Sequence, residues 1–256
     1  MKKYIFILIS CYCFSQNNKT ITYELTRKIN DLEFNAIGEL NIDSKNQISS
    51  FNLSQYKNLI KKDAKLIDSK TRDTTKIIST GNICYEDKIY YFDLKKDSLL
   101  SILYDVNCKS KVLVKDKIIL PKWKIFNEFK EISGYKTQKA TAFINDRTWT
   151  VYFTNQLNIN AGPWRLTGLP GVVFEAFENS TIYSFKLIKI DKLKNEIVKP
   201  YYQKKSTFVE FVNKAVMQHT AEISFLMSQI DGEAIDKDEL PIYETLEFIE
   251  KRETKK

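Results

Sequence analysis

Carboxylates are the residues of this 256-residue chain most able to do chemistry, because it has one histidine, His219, and no G-x-S-x-G segment. Covalent catalysis needs a nucleophile beside a base, whereas glycoside hydrolysis needs two carboxylates close together. The candidate acids are Glu128, Glu131, Asp146, Glu175 and Glu178. A hydrolase that uses such a pair is one hypothesis. For Glu175, within the apolar run VVFEAF, we expect an ion pair with one of three basic residues: Lys130, Arg147 or Arg165.

Metal, cofactor and nucleic-acid sites are not predicted. The chain has no C-x-x-C pair to hold a metal, and no motif that indicates a cofactor. Its net charge is +8, but the basic residues are almost all lysines scattered along the sequence. Proteins that read nucleic acids use arginine forks and clustered basic residues. We therefore expect a solvated basic surface without a nucleic-acid partner.

Glycine and proline are concentrated in AGPWRLTGLPGVVFEAFENS, residues 161–180, although the whole chain has only seven glycines and five prolines. Turn chemistry explains Gly162, Pro163, Gly168, Pro170 and Gly171: the Pro-Gly pair fits a type II turn in which Gly171 supplies a positive φ. Two interpretations of the segment stand. It is a structural corner that leads into a central strand, or it is a binding rim formed by Trp164, Arg165 and Leu169.

Short alternating runs predict a mainly β fold of the α+β class. From KTITYELTRKI at residue 19 to STIYSFKLIKI at residue 180, apolar and polar residues alternate between polar turns. This pattern predicts a curved antiparallel sheet or a partly open barrel. Thr207 and Glu210 form a T-x-x-E capping box before a helical pattern, so we expect a C-terminal helix packed on the sheet, with His219 on its apolar face. A second helix is predicted from Ser54.

Two cysteines, Cys84 and Cys108, flank a predicted hairpin centred near Lys96. In that register Cys84 lies opposite Cys108 and Ile89 lies opposite Leu103, which favours a cross-strand disulfide. Two free buried thiols are the alternative.

The first residues, MKKYIFILISCYCFSQ, predict export. Two lysines, a short apolar run and small residues near Ser15 are typical of a signal peptide over 1–15. The run is too short to span a bilayer, so no transmembrane span is expected in the mature chain. LISC, which ends at Cys11, resembles a lipobox and leaves a lipid anchor as the alternative. We expect a single domain over 16–249, a charged tail over 250–256 and a location in the periplasm or cell envelope.

The segment GPWRLTGLPGVVFEAFEN, together with LPKWKIFNEFKEISGYKTQKATAFIND and DRTWTVYFT, resembles the GLPGLI family of exported Bacteroidetes-type proteins. The third segment carries Arg147 and Trp149 on a strand. Thr137 and Asp146 depart from the family pattern, which often has cysteine and glycine there. The resemblance implies an envelope location and work beside outer-membrane uptake receptors, without catalytic residues.

These observations favour a binding or accessory protein over an enzyme. The ligand or partner could be an outer-membrane receptor, an apolar ligand, a peptide or a glycan, and the expected binding residues are Trp164, Arg165, Leu169, Arg147 and Trp149. The envelope hydrolase with a carboxylate pair is the second hypothesis.

The mature N-terminus tests the export prediction. Mass spectrometry of the protein recovered from its native cell should show a chain that begins at Gln16, because the small residues before it fit the cleavage pattern. A diacylglyceryl group on Cys11 would instead establish the lipid anchor, and an intact Met1 would contradict both.

Overall fold

A computed structural model describes residues 18–29, 32–54, 88–105, 109–157, 159–231 and 246, and it contains one continuous β-sheet with a helix after it. The strands are β1 Lys19–Ile29, β2 Leu32–Asp43, β3 Ile48–Leu53, β4 Lys88–Asp93, β5 Ser98–Tyr104, β6 Lys111–Asp116, β7 Lys124–Ile132, β8 Tyr135–Ile144, β9 Arg147–Thr154, β10 Val172–Glu178, β11 Tyr183–Lys192 and β12 Lys205–Thr207. The helix α1 spans Phe208–Asp231. The mainly β prediction is confirmed.

The sheet consists of two antiparallel meanders joined at their first and last strands. Its strand order is β12-β6-β5-β4-β3-β2-β1-β11-β10-β9-β8-β7. β1 pairs with both β2 and β11, so the first strand of the described chain lies in the middle of the sheet. β12 pairs with β6 in parallel, and every other pair of neighbouring strands is antiparallel. Because β12 and β7 lie at opposite edges, the arrangement is an open sheet rather than a closed barrel.

Contacts between strands that are not neighbours show how sharply the sheet curves. A flat sheet would place β3 and β11 roughly 14 Å apart, because each step between strands is about 4.8 Å. The ring centroids of Phe51 on β3 and Phe185 on β11 are nevertheless 6.0 Å apart. β-Bulges, which bend strands, shift the β1–β11 register between Thr22 and Tyr23 and the β10–β9 register between Val173 and Glu175. The concave face therefore closes over its own side chains, and most of the buried core lies there.

Tyr23 connects distant strands across this concave face. It is fully buried, and its hydroxyl donates a hydrogen bond of 2.9 Å to the carbonyl oxygen of Val173 on β10. Burial raises the pKa of Tyr23 far above its ordinary value, so the hydroxyl remains protonated and available as a donor. The bond holds β1 and β10 together although β11 lies between them.

A smaller apolar cluster covers the opposite, convex face of β4–β6. Its buried members are Tyr91, Leu100, Ile102 and Leu113, and Ile197 packs against them. Residues 193–204 lead from β11 at the centre of the sheet to β12 at its edge. The chain thus crosses the convex face and protects an apolar patch that would otherwise face water.

The capping box at the start of α1 is confirmed. The Glu210 backbone N–H donates to the Thr207 hydroxyl oxygen over 3.2 Å, and the Thr207 backbone N–H donates to the Glu210 carboxylate over 2.9 Å. The Thr207 backbone hydrogen bond is the main cause that lowers the pKa of Glu210, so this half of the cap is lost as the pH falls. Phe211 and Ala215 bury the first half of α1 in the core, while His219 is half-buried.

In the first half of the chain, one predicted register is wrong by one residue, and the predicted disulfide and helix fall on residues that the structure does not describe. The β4–β5 hairpin is one residue out of the predicted register, since Ile89 lies opposite Ile102 rather than Leu103. The short 3-10 helix Leu94–Lys96 and a left-handed Asp97 form its turn, and this geometry shifts the pairing. Cys84, Cys108 and the helix predicted from Ser54 lie outside the described residues apart from Ser54 itself. The disulfide stays a prediction.

The helices of the described part of the chain include none that is long and apolar enough to cross a membrane.

Removal of the cap should destabilise the fold without changing it. We expect Thr207→Ala to lower the free energy of unfolding by about 1 kcal/mol, because the Glu210 N–H loses its acceptor. Thr207→Ser retains a hydroxyl and should lose much less. Urea denaturation followed by far-UV circular dichroism measures both, and equal losses in the two variants would contradict this role of the hydroxyl.

Candidate functional site

The Gly/Pro-rich segment forms a corner, residues 159–171, that folds back on the start of β10. The Ala161 N–H donates to the Gly171 carbonyl over 3.1 Å, and the Val173 N–H donates to the Ala161 carbonyl over 2.9 Å. Ala161 thereby forms a parallel bridge with Val172. These bonds attach the corner to the sheet, so its side chains are held in place by the core strand that follows.

Two glycines of the corner are required by close backbone approach. A Cβ at Gly162 would lie 1.7 Å from the Leu166 carbonyl oxygen, and one at Gly171 would lie 2.2 Å from the Thr154 carbonyl oxygen. The predicted positive φ of Gly171 is wrong, since Gly168 and Gly134 are the glycines with positive φ in the described chain. Gly171 is needed because β9 passes beside it, which local turn chemistry does not reveal.

Trp164 is the most unusual residue of the corner. Its φ is 52°, a left-handed conformation that costs an L-residue roughly 1–2 kcal/mol. Its side chain is 1% exposed, and its ring centroid lies 5.6 Å from that of Trp149. The indole Nε1–H is buried without a hydrogen-bond partner among the residues described. Strained backbone and unpaired buried donors concentrate at functional sites.

Arg165 points to the other side of the corner and joins it to β6 and α1. Its Nη2 donates to the Asp116 carboxylate over 2.9 Å, and its guanidinium carbon lies 5.3 Å from the centroid of the Phe208 ring. Trp123 adds a further tie, since its Nε1–H donates to the Thr167 carbonyl over 2.8 Å. Side chains on β6, on α1 and just before β7 therefore hold the corner rigid.

Leu169, Arg147 and Trp149, the other residues expected to bind a ligand, are buried in the core. The guanidinium carbon of Arg147 lies 5.2 Å from the Tyr183 ring centroid, and its Nη1 donates to the Leu246 carbonyl over 3.4 Å. Leu169 and Trp149 belong to the main apolar cluster. Of the five expected residues, all in the described part of the chain, Trp164 lines the cavity described below and the other four do not.

Three of the five candidate acids, Glu128, Glu175 and Glu178, have partners nearby. Glu175 contacts the ammonium of Lys130, which confirms its predicted ion pair. Glu128 pairs with Lys139 at 2.9 Å. Glu178 is fully buried and accepts backbone hydrogen bonds after the β10–β11 turn, including one of 3.1 Å from Tyr183. These carboxylates neutralise lysines or fix a turn.

Lysines also cover aromatic rings on the exposed part of β7–β9. Lys130 Nζ lies 3.7 Å from the centroid of Tyr152, and Lys136 Nζ lies 4.1 Å from that of Phe129. Such cation–π contacts bury apolar surface beneath charge. The lysines and aromatic rings of this surface contact one another, and we interpret the surface as protection of the β7 edge.

A cavity of about 620 Å³ lies between the corner and the β2–β4 part of the sheet. This volume is typical of small-ligand sites. The corner contributes Ile159, Asn160, Ala161, Gly162, Trp164 and Thr167; the opposite wall consists of Leu40, Ile42, Asp43, Ser44, Lys45, Gln47, Ile48, Ser49, Phe92 and Leu94. Sequence reasoning singled out Gly162 and Trp164 of the first wall, but not the other corner residues that line the cavity. It missed the second wall, whose residues read only as strand and turn residues.

The buried lining residues of the cavity are Leu40, Phe92, Ala161, Gly162 and Trp164, so its interior is apolar.

Polar groups lie at the mouth of the cavity, on the β2–β3 turn and the outer corner. Asp43 orders that turn by accepting a 3.1 Å hydrogen bond from the Asn46 backbone N–H. This bond is the main cause that lowers the pKa of Asp43, so the carboxylate is ionised at neutral pH. Lys45, Gln47 and Asn160 are exposed beside it. The site combines an apolar interior with a charged and amide-rich rim.

Comparison with known proteins identifies the domain type. The family described as "N-glycanase peptide, N-terminal domain" matches residues 61–215, more than half of the chain. The chain belongs to this family. Residues 61–215 contain all the motifs that suggested the GLPGLI family, and that identification is wrong. The Gly/Pro/Trp pattern reflects a corner whose glycines are required by backbone packing, so similarity there does not distinguish one family from another.

Solved structures resemble the chain only distantly. Two crystal forms of PNGF-II are 18% and 19% identical to it, each with a TM-score of 0.48, and they cover 77% of this chain. The chain spans 32–33% of the length of those structures. An outer membrane lipoprotein-sorting protein domain from Vibrio parahaemolyticus is 8% identical with a TM-score of 0.29, and it covers 68% of this chain and 84% of its own. No curated protein sequence matches the chain.

Clusters of three or more His, Cys, Asp or Glu side chains that could hold a metal ion do not occur in the part of the chain that the structure describes.

The close approach at Gly171 predicts a large effect of one methyl group. We expect Gly171→Ala to lower the melting temperature substantially, because its Cβ would overlap the Thr154 carbonyl oxygen on β9. Gly134→Ala is the matched control, since its Cβ meets nothing within 4 Å and only its φ of +80° is unfavourable, a cost of roughly 1–2 kcal/mol. Calorimetry should rank Gly171→Ala as the more damaging change, and the reverse order would refute the close-packing argument.

Proposed function

We propose that this chain is an exported binding domain of the N-glycanase N-terminal type, and that its corner cavity holds part of a glycopeptide. The observation that carries the proposal is the cavity itself. It is of ligand size and apolar inside, and its wall includes Trp164, whose backbone is strained and whose indole N–H has no partner among the described residues. Rigid sites with these features are suited to ligand binding.

The family supports the choice of ligand. Its description contains the words N-glycanase and peptide, so a glycan or the peptide that bears it is the first ligand to test. The chain matches only part of the length of the PNGF-II structures, so the proposal concerns binding and not hydrolysis. The expectation of an outer-membrane uptake receptor came from the corrected resemblance and forms no part of the proposal.

The rigidity of both cavity walls favours a binding site over a purely structural corner. The corner is fixed by backbone bonds to β10, by Arg165 to Asp116 and by Trp123 to Thr167. The opposite wall is fixed by the β2–β3 pairing and the Asp43 turn. A cavity between two rigid walls needs little reorganisation to bind, which lowers the entropy cost of association.

The proposal also includes the organisation expected from the sequence: a signal peptide over 1–15, one domain over 16–249 and a charged tail over 250–256. Residues 16–249 include all the strands and the helix described above. Export suits a protein that meets glycopeptides outside the cytoplasm.

A substitution at the cavity mouth tests the site. Isothermal titration calorimetry of the mature chain should detect binding of a short synthetic peptide with one asparagine-linked N-acetylglucosamine beside a phenylalanine. Thr167→Trp should weaken this binding at least about tenfold, equivalent to 1.4 kcal/mol, because the half-buried Thr167 lines the cavity and the larger side chain fills it.

The matched control is Thr148→Trp, at an exposed position on β9 outside the lining; it should bind as the unmodified chain does. Equal affinity in both variants would place the ligand elsewhere, and no binding to the unmodified chain would overturn the proposal.

A further inference from the structure

The interior and the mouth of the corner cavity differ in chemistry, and this difference separates two parts of a glycopeptide. Every buried lining residue is apolar, whereas the polar lining groups are half-buried or exposed. A sugar ring carries hydroxyl groups around its edge, and each one buried without a partner is unfavourable. An aliphatic or aromatic amino-acid side chain carries no such groups and gains by leaving water.

We infer that the corner cavity binds the peptide part of the glycopeptide: an apolar side chain enters the interior, and the sugar stays at the mouth. This inference rests on the proposed function and adds which part of the ligand is recognised. The volume of about 620 Å³ is ample for one large side chain with its adjoining backbone.

Trp164 closes the interior as an apolar wall. Its Nε1–H and that of Trp149 are buried without a partner in the described chain, and Trp164 lines the cavity while Trp149 does not. Because the Trp164 nitrogen is covered by protein atoms, the wall presents ring surface to a ligand rather than a hydrogen-bond donor. An apolar side chain suits such a wall better than a sugar hydroxyl does.

The mouth provides groups for what remains outside. Asp43 is ionised, Lys45 is exposed near it, and Gln47 and Asn160 offer amides that both donate and accept hydrogen bonds. These groups suit peptide amides or the hydroxyls of a first sugar in contact with water. Because they are exposed, their contribution to affinity is smaller than that of the interior.

Four probes distinguish the parts of the ligand: the phenylalanine-containing glycopeptide, the same peptide without the sugar, the glycopeptide with serine in place of its phenylalanine, and chitobiose alone. The unglycosylated peptide should bind within about threefold of the glycopeptide. The serine version should bind at least about tenfold more weakly, and chitobiose should show no binding in calorimetry.

Thr167→Trp should weaken binding of the unglycosylated phenylalanine peptide at least about tenfold, because the larger side chain fills the cavity. Thr148→Trp, at an exposed position outside the lining, is the matched control and should leave affinity unchanged. Near-UV circular dichroism checks folding in each variant.

The outcomes distinguish recognition of the peptide from glycopeptide binding as a whole. Binding of chitobiose together with indifference to the serine substitution would overturn the inference and leave glycan binding in place. Failure of all four probes would overturn the proposed function as well. Peptide binding that survives Thr167→Trp would overturn the cavity as the site.

Discussion

Phe51 on β3 and Phe185 on β11 pack 6.0 Å apart across two intervening strands, and the rest of the structure depends on the bend that allows this contact. The bend gathers the apolar side chains of both meanders on one concave face, where the main core forms. Tyr23 reinforces it with a hydrogen bond to β10. It also provides the space in which the corner, residues 159–171, faces the β2–β4 wall across a cavity.

The conformation of the corner depends on both steric limits on its glycines and the packing of its tryptophan. Gly162 and Gly171 are required because other backbone atoms occupy the space of a side chain. The backbone of Trp164 adopts a left-handed conformation that favours glycine, so the packing of its ring must offset the strain. The surrounding bonds to Asp116 and from Trp123 hold the segment rigid. What results is a fixed wall instead of a mobile loop.

Local patterns in the sequence identified the elements well, whereas long-range geometry was out of reach. Alternation in KTITYELTRKI coincides with β1, and the Thr207–Glu210 spacing coincides with the cap of α1. The bulge beside Tyr23 and the passage of Thr154 next to Gly171 depend on strands that meet only in the fold. The corner segment stood out in the sequence because of its glycines and prolines, whereas Leu40 and Phe92 on the opposite wall read only as strand residues.

The position of β1 between β2 and β11 has a consequence for biogenesis. Their pairing joins residues as distant as Lys19 and Lys192, so one side of β1 stays open until most of the chain has been synthesised. Contacts between such remote segments form slowly, and an open strand edge is a site of self-association in the meantime. We expect that a chaperone which shields this first strand would raise the yield of the folded protein.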